Sequence, residues 1–256
     1  MRQHLFRCLG SFLSIPLAAS LAMSSAPSMV RADEAVHMET ALRLASLLRS
    51  ARSVIASQQE LINDPAIGDK GLTGDRVLEL ATKAYLEANG TEPLHDGQDP
   101  LEARLIEAQM QAIRTVMADN QATINADGIA FKGFVPAVFG RLVNESFASL
   151  VGTEAQVKVT APPDLVRNRK AMPDDWETRI IGDDLMSPDW PKGQVYAELT
   201  ELDGKPAYRV LVPEYYSTGC LSCHGEPKGE IDITGYPKEG GREGDLGGVI
   251  SISIFR

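Results

Sequence analysis

Cysteine, histidine and basic charge are all scarce in this 256-residue chain, which has three Cys, four His and 25 Lys+Arg against 35 Asp+Glu. Each shortage excludes something. Cys8 lies beside Arg7 near the start, so only Cys220 and Cys223 stand further along. Two thiols cannot hold zinc unaided, and they allow no disulfide framework beyond their own pairing. The acidic balance argues against nucleic acid and anionic membrane as partners. The longest apolar stretch, Leu9 to Met23, is short for a bilayer span and broken by Ser and Ala. There is no internal repeat and no low-complexity linker.

The two remaining cysteines fall in one pattern, Cys220-Leu-Ser-Cys223-His224. C-x-x-C-H reads as an attachment site for c-type haem. Both thiols add across the haem vinyl groups as thioethers, and the two-residue gap lets both sulfurs reach one porphyrin edge. The adjacent imidazole of His224 then sits under the iron as its proximal ligand. No second copy of the motif occurs, so the reading is one covalently held haem c. A redox C-x-x-C of thioredoxin type competes with this reading. It needs its first thiolate at the start of a well-formed helix, and residues 225–245 hold too much Gly and Pro to supply one.

The N-terminus agrees with haem attachment outside the cytoplasm. Arg2 and Arg7 form a positive region before the apolar stretch. Val30-Arg31-Ala32 then offers small residues for cleavage after Ala32, with Ala26 as the other position. Residues 1–32 therefore read as a cleavable signal peptide, residues 33–256 as one domain, and the destination as the periplasm, with no stable membrane insertion after cleavage. Loss of Arg2, Arg7 and Arg31 leaves 22 basic and 35 acidic residues, a formal −13.

The first half of the mature chain is helical by pattern. Leu44, Leu47, Leu48, Ala51, Val54, Ile55, Leu61 and Ile62 follow three- and four-residue spacing up to Asn63-Asp64-Pro65. Asp75 caps a helix ending at Asn89-Gly90, Pro100 opens a longer one broken at 125–128, and Pro136 opens another running to about Gly152. These apolar faces pack a core or pair two chains into a homodimer. The second half alternates: strands at 155–160, 195–202, 207–212 and 248–254, with Asp203-Gly204 as a hairpin turn. Helices before an antiparallel sheet give an α+β fold.

The sixth iron ligand stays open among Met110, Met117, His95, His37, water or none. Arg167-Asn168-Arg169-Lys170 is a basic cluster in an acidic chain, either solvated or pairing its Arg side chains with haem propionates. Trp176 and the pair Tyr215-Tyr216 are aromatic candidates for porphyrin contact, with plain core packing as the alternative for Trp176.

Ala161-Pro162, Arg167-Asn168, Pro173-Asp174, Trp176-Glu177, the hairpin, Cys220-Leu-Ser-Cys-His-Gly225 and the closing Gly244-Asp-Leu-Gly-Gly-Val-Ile-Ser251 together resemble the bacterial PAS-like c-type haem domain family. That family includes secreted single-domain cytochromes and periplasmic haem sensor domains. The resemblance implies a PAS-like antiparallel sheet with an N-terminal helical layer and one haem near the sheet. It carries haem roles to Cys220, Cys223 and His224, and extends to Arg167 and Asn168. The chain differs in having no cysteine in its helical half to serve as distal ligand, and in ending at Arg256 without an output domain. The expected function is periplasmic electron transfer or redox sensing, through a redox partner or a separate signalling protein. A haem-based gas or ligand sensor module is the alternative, and an enzyme is the weaker expectation.

Overall fold

The computed structural model describes residues 26–256, so most of the expected signal peptide lies outside the described residues. Helix α1 (Ala26–Ser57) spans the expected cleavage position and buries Leu44, Leu47, Leu48, Ala51 and Ile55 completely. The single long helix read from the spacing is interrupted at Gln58, after which a short α2 (Gln59–Asn63) carries Ile62 into the core. Helix α3 (Gly74–Asn89) starts two residues earlier than expected, because Thr73 rather than Asp75 is its N-cap: the Thr73 hydroxyl accepts from the Arg76 N–H. Helix α4 (Pro100–Asp119) is capped by Asp99 and ends at Asn120, earlier than the expected break. A short α5 (Gln121–Ile124) follows, then α6 (Pro136–Val151).

The sheet comprises β1 (Ala155–Thr160), β2 (Tyr196–Leu202), β3 (Lys205–Tyr215) and β4 (Leu246–Phe255). It is antiparallel throughout, in the order β1-β4-β3-β2. Asp203 and Gly204 join β2 to β3 with φ of 53° and 73°, the left-handed pair that a two-residue hairpin needs. The fold is therefore α+β with an N-terminal helical layer, as the pattern predicted. Period-two alternation sorts the two sheet faces. Tyr208, Val210, Val212, Ile250, Ile252 and Ile254 meet α1, α3, α4 and α6 in one apolar core. Leu211 and Val249 face the other way, onto Ile180, Ile181 and Leu185 of α7 (Asp175–Ile180) and the π-helical turn after it. Asp174 caps α7 through a reciprocal capping box with Glu177. Among the described residues, no helix is long and apolar enough to cross a membrane.

Candidate haem-attachment site

The motif leaves the sheet at the end of β3. A 3-10 turn over Thr218–Cys220 leads into α8 (Leu221–His224), which is one helical turn long. It stops at Gly225, where a Cβ would lie 2.6 Å from the Leu221 carbonyl oxygen. The long helix of a thioredoxin-type dithiol is therefore not formed. Cys220 and Cys223 are unpaired and half-buried. Ser217 Oγ lies 3.4 Å from Cys220 Sγ, and Ser222 Oγ lies 3.8 Å from Cys223 Sγ.

His224 is held from three sides. Its ring stacks on Tyr216, with centroids 5.1 Å apart and planes 21° from parallel. Its carbonyl accepts from the Gly241 N–H at 2.8 Å. Its Nδ1 lies 2.9 Å from Glu239 Oε2. Burial works to raise the Glu239 carboxyl, but hydrogen bonds from Arg167, the backbone and His224 outweigh it and hold the carboxyl below its usual range. An ionised carboxylate only accepts, so Nδ1 carries the imidazole proton and the Nε2 lone pair is the one presented to a metal.

Tyr216 is fixed in turn by a tight loop. Its N–H donates to Asp245 O and its carbonyl accepts from the Gly244 N–H. Glycines flank both ring edges: a Cβ on Gly241 would lie 2.5 Å from Cε2, and one on Gly247 would lie 2.3 Å from Cε1. Gly247 falls in the register shift where Glu214 pairs with Gly248 but Tyr215 pairs with Leu246. Burial, with Glu239 adding to it, pushes the Tyr216 phenol up to about 12, so it stays neutral.

Arg167 was expected on a solvated loop or on propionates. Instead it sits beneath the motif. Its Nε donates to Glu239 Oε1 at 2.7 Å. Nη1 donates to Asp232 Oδ2 at 2.6 Å and Thr234 Oγ1 at 3.4 Å. Nη2 donates to Cys223 O at 2.8 Å and Glu239 Oε2 at 3.1 Å. That engages all five guanidinium N–H groups and leaves no donor for a propionate. Asn168 serves locally, its Oδ1 accepting from the Lys170 N–H at the start of a 3-10 turn.

The other candidates lie elsewhere. His37 packs against Tyr208 near the start of β3, about 25 Å along the strand from Tyr216. His95 is exposed between α3 and α4 with Nδ1 on Asp96 O. Met117 is fully buried in the helical core, and Met110 packs at its margin. Trp176 covers Arg209 at 4.1 Å and meets Tyr196 edge-on. Tyr215 accepts from the Gly193 N–H through its hydroxyl, with Lys192 over its ring. Asp232 and Glu239 escaped notice in the sequence. Only Asp232 left a local signal, an Asx turn in which its Oδ1 accepts from Thr234 N.

A C-x-x-C-H turn thus closes a central strand of an antiparallel sheet that lies under a helical layer. The chain belongs to the Tll0287-like family, whose model matches residues 99–254; this is a bacterial family of PAS-like haem-binding cytochromes. No curated protein and no solved structure matches the chain.

The residues present fit a haem. Two unpaired thiols and an imidazole share one helical turn, the imidazole offers Nε2, and a glycine-lined cradle fixes its supporting ring. Cys220, Cys223 and His224 are the residues able to hold the group.

Proposed function

We propose that this protein is an exported, one-haem c-type cytochrome working in periplasmic electron transfer or redox sensing. The observation that carries the reading is the hydrogen bond from His224 Nδ1 to Glu239, which commits one ring nitrogen to the protein and turns the other toward a metal. When bound, haem supplies a one-electron change at iron. Cys220 and Cys223 would tether it as thioethers, and His224 would supply a nitrogen ligand to its iron. Tyr216 limits rotation of the imidazole, and Arg167 ties the Cys223 carbonyl to the loop that carries Glu239. Family membership supports haem binding, and the acidic balance supports docking to a basic redox partner.

The test is expression with a leader and a working c-type maturation system. A mass increase of one haem that survives acidic acetone extraction, and that Cys220→Ala with Cys223→Ala abolishes, is the expected result. A colourless protein with two titratable thiols refutes the reading. Spectra with and without CO then separate the roles: indifference to CO favours electron transfer, and a CO-shifted spectrum favours ligand sensing.

A further inference from the structure

The proximal imidazole is hydrogen-bonded to a charged carboxylate rather than to a neutral carbonyl, and that carboxylate belongs to a closed charge set. Glu239 receives His224 on Oε2 and Arg167 on both oxygens. Alone, the guanidinium would cancel the charge of Glu239. Asp232, with a fully buried side chain, takes the same guanidinium at 2.6 Å and balances it. Asp232 is itself saturated by Thr234 N, Thr234 Oγ1 and Tyr236 N. One cation and two carboxylates leave one net negative charge against the Nδ1 proton. A ligating imidazole whose other N–H is drawn toward a carboxylate becomes a stronger donor, and a stronger donor favours the more highly charged metal.

We propose that Glu239 is a positioning residue that gives His224 imidazolate character and biases the iron toward the ferric state, with Asp232 acting through Arg167 to keep that bias. The proposal rests on the haem reading above. The Fe(III)/Fe(II) couple involved is a one-electron exchange with an external reductant, and no proton leaves the pair.

The test is a spectroelectrochemical titration of the haem-loaded full chain, with dithionite as reductant and ferricyanide as oxidant, together with ferric EPR. Glu239→Gln keeps the size and an acceptor oxygen but removes the charge. It is expected to shift the ferrous-to-ferric ratio at fixed poise about tenfold toward ferrous, equal to 59 mV for one electron, and to move the EPR g values. Asp232→Asn is expected to shift the ratio in the same direction by less. Potentials and g values that match wild type in both variants, alongside lowered thermal stability, would mean that the cluster only holds the loop, and would overturn the proposal. If Glu239→Gln fails to retain haem, Asp232→Asn decides alone. Wild-type protein that carries no haem, with both thiols free to alkylation, would instead remove the haem reading and this proposal with it.

Discussion

Gly247→Ala should damage the protein out of proportion to one methyl group. The new Cβ would stand 2.3, 2.6 and 2.7 Å from Cε1, Cδ1 and Cζ of Tyr216. Ordinary contact begins near 3.4 Å, so ring or strand must retreat by about 1 Å. The ring cannot slide away, because Gly241 closes on its opposite edge and His224 lies against one face. The strand cannot back off either, because the next residue, Gly248, has the Thr160 carbonyl 2.9 Å from its own Cβ position. Overpacking of this kind costs about 1–3 kcal/mol, and losing the ring stack adds roughly 0.5–1.5 kcal/mol. For a domain of this size that lowers Tm by roughly 3–18 °C. The comparison is Gly182→Ala, where a Cβ meets nothing within 4 Å. Thermal melts of both variants by circular dichroism measure the difference, and the haem absorption reports whether the imidazole has moved. A Gly247→Ala melt within about 1 °C of Gly182→Ala would refute the account of Tyr216 as a trapped ring.

Glu214 joins the helical layer to β3 by accepting from Arg49 at 2.7 Å and Arg52 at 2.9 Å. Glu214→Ala strands the better buried Arg52 and should cost about 1–2 kcal/mol in urea unfolding, whereas Arg49→Ala, at a half-exposed site, should cost under about 0.5 kcal/mol. Burial works to raise the Asp232 carboxyl, but its bonds from Thr234, Arg167 and Tyr236 hold it well below the usual range. Its stabilising contribution is therefore complete above the unfolded value of about 4 and is lost as pH falls below it. Asp232→Asn should lower Tm at pH 7 and flatten the acid limb of a Tm–pH curve; an unchanged limb would contradict this. His37 is lowered by burial and by Arg256, against the opposing pull of Asp33, Asp99 and Glu34. It folds neutral, so stability should decline as pH drops below the unfolded value of about 6.5. His37→Phe should remove that slope and leave the haem spectrum unchanged, and a spectral shift would place His37 at the iron after all.

Much of the fold was legible because it rests on short-range rules. Asp203-Gly204 takes the left-handed pair that its turn requires, and Asp174 with Glu177 forms the capping box that follows Pro173. Helix ends were less legible. The break at Gln58 and the stop at Asn120 carry no Gly or Pro to mark them. The motif announced His224 but not what would hold it. Glu239 sits between Lys238 and Gly240 with no pattern to single it out, and it meets Arg167 only because the loop returns across 72 residues of separation. The partners of Arg167 are hidden for the same reason. A basic cluster read alone points to solvent or to an anionic ligand, and only the fold brings two carboxylates and a carbonyl to its five donors.

The segment that carries the C-x-x-C-H motif is ordered by different means from the rest of the molecule. The apolar core runs through α1, α3, α4, α6 and one face of the sheet, and a second small cluster covers the other face. Between Tyr216 and Val249, only Leu246 packs against a buried apolar set, and it lies at the margin. What fixes that stretch is polar: Arg167 to Asp232 and Glu239, Asp232 to its own turn, Gly241 to His224, and Gly244 and Asp245 to Tyr216. An apolar core tolerates volume-conserving swaps, because its contacts are many and weak. A closed polar set does not, because losing one member leaves another buried and unpaired. The geometry around His224 is therefore set by a few charge-assisted bonds whose loss would be felt at the imidazole before it was felt in the sheet.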